Sequence, residues 1–76
     1  MNQDTYMKIA DEISDKLISL CLSNKTKNKS LMQLYNELLN EEYFKYSSNI
    51  LAYIPDQLAQ KGYEIVDPNN FEIKKY

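Results

Sequence analysis

Apolar and polar positions alternate along this chain with two different periods, and the change of period divides it. From residue 5 to 22, Tyr6, Ile9, Ile13, Leu17 and Leu20 recur at three- and four-residue steps. That spacing gathers them on one face of an amphipathic helix. Asp4 or Thr5 is placed to cap its start, and Asp11, Glu12 and Asp15 fall in its polar sectors. A second helix is predicted from Leu31 to about Asn40, with Leu31, Leu34, Tyr35 and Leu38 as its apolar stripe. Ser30 followed by Gln33 is a capping-box pattern at its start. The run between the two helices, Ser23 to Lys29, reads as a solvated loop, too polar to bury.

Glu41 to Tyr46 fits either an extension of the second helix or a turn. A third helix, capped by Ser47 or Ser48, is carried by Ile50, Ile54 and Leu58. Pro55 cannot donate to the Leu51 carbonyl, so that helix either kinks there or a helix begins there. Gly62, the only glycine, stands where a left-handed C-terminal cap belongs. Beyond it the period falls to two. Tyr63–Val66 and Phe71–Lys74 alternate around Asp67-Pro68-Asn69-Asn70, a good turn sequence, with Tyr63, Ile65, Phe71 and Ile73 sharing a face. The fold class expected is mainly α with a C-terminal β-hairpin (α+β). It would be one domain over residues 1–76, three helices followed by a two-stranded wing.

The stretch from Ser47 to Lys74, with Leu58-Ala59-Gln60-Lys61-Gly62-Tyr63 leading into the hairpin, resembles the winged helix (winged helix-turn-helix) superfamily in a small acidic variant. Element order and the Leu34–Leu39 helix are also similar to the small winged domain at the N-terminus of the bacterial RNA polymerase delta subunit, which does not read bases. No functional residue carries over from that domain. The superfamily serves DNA readers and protein-docking modules alike, so fold alone leaves function open. If the resemblance implied DNA binding, Asn49 and Tyr53 would lie on the recognition helix. Lys74 and Lys75 would lie on the wing, and Lys25, Lys27 and Lys29 in the first loop. Asn49 could then pair with adenine.

Charge weakens that branch. The formal net charge is −2, and all nine basic residues are lysine, the bias of an AT-rich genome. Bidentate grips on phosphate or guanine are the work of arginine, and specific readers set several cations against phosphates. Aromatic residues point elsewhere. Seven tyrosines and two phenylalanines exceed what so small a core can hold. Tyr43, Phe44, Tyr46 and Tyr53 cluster before and within the third helix, beside Glu41 and Glu42. Tyrosine suits surfaces that bury area and still hydrogen-bond, so Tyr43, Tyr46, Tyr53, Glu41 and Glu42 are the expected protein-binding residues. In the competing reading, Phe44 and one tyrosine plug the core.

Chemistry-bearing groups are few. Cys21 has no partner for an internal disulfide, and without histidine there is neither a common zinc set nor a histidine base. Asp11 and Asp15 read as a solvated acidic face rather than half a metal site, and Cys21 as a small core residue. The expectation is a non-enzyme with no cofactor and no metal. The polar, acidic start lacks signal-peptide character, and no apolar run approaches the roughly 20 residues that span a bilayer. The expected place is the cytoplasm, with no membrane partner; the two Asn-x-Ser/Thr matches in the polar loop are read as chance. The function expected is a small regulator or inhibitor that docks on a protein partner, on nucleic-acid-handling machinery of a bacterium or phage. A dimeric DNA-binding transcriptional regulator is the alternative, and an immunity or antitoxin-like protein the second alternative.

Overall fold

In a computed structural model describing residues 2–76, the first helix, α1, runs Gln3–Leu22. Met1 lies outside the described residues. The Asn2 side chain accepts from the Thr5 N–H at 3.0 Å, so Asn2 is the cap and not Asp4 or Thr5. Asp4 falls instead in the first turn, where its charge suits the helix dipole. At the other end Asn24 takes a left-handed φ of 57°. The Lys25 N–H then reaches the Leu20 carbonyl (2.9 Å) and the Asn24 N–H the Cys21 carbonyl (3.1 Å), a Schellman ending built on asparagine.

α2 spans Leu31–Leu38, with Ser30 Oγ accepting from the Gln33 N–H at 3.1 Å. It stops short of Asn40 because Leu39 leaves the helix in an extended conformation and is itself buried. Asn40 then caps a six-residue 3₁₀ helix, Glu41–Tyr46, by accepting from the Glu42 N–H at 3.2 Å. That segment is therefore neither a continuation of α2 nor a simple turn. It runs straight into α3, Ser47–Leu51, where the Ser47 N–H already bonds the Phe44 carbonyl. Neither Ser47 nor Ser48 caps α3, since no side-chain cap bond is formed there.

The single third helix expected from the sequence is two. After the turn at Ala52–Tyr53, α4 covers Ile54–Gln60 with Pro55 in its first turn. There the missing N–H leaves no bond unmade, so Pro55 begins a helix. Gly62 follows the Lys61 cap at φ +93°. β1 (Tyr63–Asp67) and β2 (Glu72–Lys75) pair antiparallel, with Ile65 opposite Ile73 and Glu64 opposite Lys74. The register slips between Ile65 and Asp67, which leaves Val66 as an exposed bulge. Phe71 precedes β2 instead of starting it, yet it is buried.

One apolar cluster joins these elements. α1 contributes Ile9, Ala10, Ile13 and Leu17, α2 Leu34 and Tyr35, the last helices Ile50, Ile54 and Leu58, and the hairpin Phe71. Tyr35 is fully buried and donates its hydroxyl to the Ser47 carbonyl at 2.7 Å, tying α2 to the start of α3. Burial pushes the Tyr35 phenol above its ordinary range.

The lysine-rich loop departs from expectation. Its lysine side chains face water, but its backbone is docked on the hairpin. Thr26 is buried and donates from Oγ1 to the Phe71 carbonyl at 3.1 Å. The Phe71 N–H donates to the Lys29 carbonyl and the Leu31 N–H to the Pro68 carbonyl, both at 2.8 Å. Asn28, at φ 65°, donates its N–H to Asn70 Oδ1 at 2.9 Å. Two left-handed asparagines let this segment fold back where an ordinary loop would swing free. No described helix is long and apolar enough to cross a membrane.

Candidate docking surface

A 3₁₀ helix repeats every three residues, so positions 41 and 44, 42 and 45, and 43 and 46 stack in pairs. Tyr43 and Tyr46 therefore fall on one side, and both pack against the core. The Tyr46 ring lies 5.9 Å from that of Tyr6 on α1, tilted by 43°, with the Lys45 ammonium 5.1 Å from its centroid. Phe44 falls on another side, in register with Glu41, and is 53% exposed. This inverts both sequence readings. Phe44 does not plug the core, and Tyr43 and Tyr46 are half-buried rather than free. Tyr53, in the turn before α4, is likewise half-buried against the core.

Glu41 and Glu42 are exposed as expected. Between α1 and the 3₁₀ helix runs a groove of about 220 Å³, walled by Ile9, Leu38 and Tyr43, with Glu12, Glu42 and Lys16 at its sides. The Glu42 carboxylate, with partial burial and Glu12 nearby, pushes the Tyr43 phenol above its ordinary range. Phe44 is not among the residues that line this groove, so the 3₁₀ helix carries an exposed aromatic and a charged groove as separate features.

The DNA-reading candidates are dispersed. Asn49 is exposed, but on α3, whereas the helix leading into the hairpin is α4. α4 shows water Pro55, Asp56, Ala59 and Gln60. Lys61 at its end is held by Asp11 and, at 3.0 Å, by Asp15. The two acids are thereby engaged in a tertiary clamp rather than simply solvated. Lys29 pairs with Glu37 at 3.2 Å and Lys74 with Glu64 at 3.6 Å. Lys25, Lys27 and Lys75 are exposed and make no ion pair among the described residues.

A larger groove, about 430 Å³, opens beside Cys21 between the Thr26–Lys27 loop and Phe71–Ile73. Burial raises the Cys21 thiol pKa, with Glu72 adding and a hydrogen bond to Thr26 opposing, so the thiol is a poor nucleophile here. This groove is invisible in the sequence, because its walls come from segments about 45 positions apart. No protein-family model, curated protein or solved structure matches the chain.

Proposed function

We propose that this chain is a small, non-catalytic cytoplasmic regulator or inhibitor that docks on a protein partner within bacterial or phage nucleic-acid-handling machinery. The observation that carries the reading is Phe44, an aromatic side chain 53% exposed on a short helix whose other aromatics are anchored in the core. A pre-ordered aromatic loses little freedom on binding, and buried aromatics carry most interface energy. Glu41 and Glu42 supply the charged rim, and Tyr43, Tyr46 and Tyr53 act by holding the platform. The winged-helix likeness supports this reading through element order, with a helical body, a hairpin, and residues 26–31 lying along that hairpin.

The test is affinity capture from the native host, with and without nuclease, using wild type, Phe44→Ser and the pair Lys25→Glu with Lys27→Glu. A nuclease-insensitive protein partner, lost with Phe44→Ser at unchanged melting temperature, is the expected result. Capture that vanishes with nuclease and with the lysine reversals would move the DNA-binding reading to first place.

A further inference from the structure

β2 has two edges, and the hydrogen bonds around it decide which main-chain groups are left over. Toward β1, the Tyr76 N–H donates to the Gly62 carbonyl at 2.9 Å, and Glu64 opposite Lys74 continues that ladder. Main-chain direction alternates along a strand. Glu72, Lys74 and Tyr76 therefore point to β1, while Phe71, Ile73 and Lys75 point away. Phe71 confirms the phase, since its N–H bonds Lys29 and its carbonyl accepts from Thr26, both on the outer side. The outer edge is thus occupied at position 71 and open at 73 and 75. The N–H and carbonyl groups of Ile73 and Lys75 have no hydrogen-bond partner among the described residues outside the hairpin, and within it they face away from β1.

Beside this open edge lies the 430 Å³ groove, with Cys21, Thr26 and Lys27 on one wall and Phe71, Glu72 and Ile73 on the other. We propose that an extended, acidic segment of a partner protein adds to β2 as a third strand. Ile73 and Lys75 supply the main-chain bonds, and an alternate apolar side chain drops into the groove over Cys21. The segment's carboxylates meet Lys25, Lys27 and Lys75, three exposed lysines that make no ion pair among the described residues. Strand addition draws affinity from main-chain bonds and specificity from the alternate pockets.

Charge and register choose this occupant over a second copy. Pairing two β2 edges with Ile73 opposite Lys75 sets Lys74 against Lys74, a destabilising like-charge pair. Pairing Ile73 with Ile73 demands the outer groups of Phe71, which Lys29 and Thr26 already hold. Glu72, the one acid in the groove wall, favours an apolar side chain at that point and carboxylates further along. This site stands apart from Phe44 and does not depend on it.

The test uses the whole chain and a synthetic peptide of about seven residues, a common strand length, alternating valine and glutamate. Its counterpart alternates valine and lysine. In the free protein, amide exchange should be fast at Ile73 and Lys75 and slow at Lys74 and Tyr76. The glutamate peptide should shift the Ile73 and Lys75 amide resonances and slow their exchange, and the lysine peptide should not. Lys75→Pro removes one outward N–H that the hairpin does not use and should weaken binding about tenfold or more. Lys27→Glu with Lys75→Glu leaves the main chain whole and should transfer preference to the lysine peptide, while Phe44→Ser should leave binding unchanged. Protected Ile73 in the free protein, no resonance shift at millimolar glutamate peptide, or equal response to both peptides would overturn the proposal.

Discussion

Lys61, the cap of α4, donates its ammonium to the Asp11 carboxylate on α1 and holds Asp15 one helical turn further along at 3.0 Å. These bonds, Asp11 first, raise the Lys61 pKa above its ordinary 10.5. Both carboxylates are well exposed, so screening limits the clamp to about 1 kcal/mol. Folded Lys61 holds its proton more tightly than unfolded Lys61. The contribution is therefore full below pH 10.5 and disappears as pH rises through the folded value. Lys61→Met should melt below wild type by a gap that is constant from neutral pH upward and closes in strong alkali. A gap that persists there would mean the side chain acts by packing alone.

Thr26 and Phe71 are the next pair to test. Phe71→Ala removes a buried aromatic, at a cost of about 3–5 kcal/mol. Thr26→Val keeps the shape but strands the Phe71 carbonyl, costing about 1–3 kcal/mol. Thr26→Ser, which keeps the donor, should lie much nearer wild type in urea denaturation. Equal losses for valine and serine would show that the methyl group matters and the hydroxyl does not.

Ser14 is fully buried in α1, and its hydroxyl finds no hydrogen-bond partner among the described residues. An unsatisfied buried hydroxyl costs about 1–3 kcal/mol, and alanine is the better helix former. Ser14→Ala should therefore raise the melting temperature. A decrease would reveal a partner for the hydroxyl.

Gly62 separates conformation from space. At φ +93° an added Cβ would meet nothing within 4 Å among the described residues, so crowding is not the obstacle. Gly62→Ala should cost about 1–2 kcal/mol through backbone strain alone. D-alanine introduced there by chemical synthesis should match or exceed glycine. Comparable losses for both enantiomers would refute the conformational account.

The raised Cys21 thiol pKa gives a fifth observable. Iodoacetamide at mildly alkaline pH should alkylate the folded protein more slowly than the urea-unfolded chain, because less thiolate is present. Equal rates would place the thiol in open water.

What the sequence disclosed depended on whether a signal was local. The α1 stripe, the Ser30 cap, Gly62 and the alternation of the hairpin all follow from neighbours a few residues apart, and each reappears in the structure. Pro55 marked the break within the third helix, but a kink and a new helix could not be told apart, because Ile50, Ile54 and Leu58 keep a four-residue step across it. All three are fully buried, so the stripe survives while the backbone does not. The 3₁₀ helix was hidden for a related reason. Over six residues a period of three cannot be told from 3.6, since both set Tyr43 and Tyr46 on one face. Thr26 looked solvated because its partner lies 45 positions away.

That separation also orders events in time. Helical turns in residues 3–22 can form within about a microsecond from local contacts. The loop's donors and acceptors must stay with water until residues 68–71 have been synthesised and brought round to them, and contacts so distant in sequence are the slow ones. The body of the protein is thus closed by the hairpin, and the loop between the first two helices acquires its shape only at that step. Variants of Thr26 should accordingly leave the folding rate almost untouched and quicken unfolding, the signature of a contact made after the transition state.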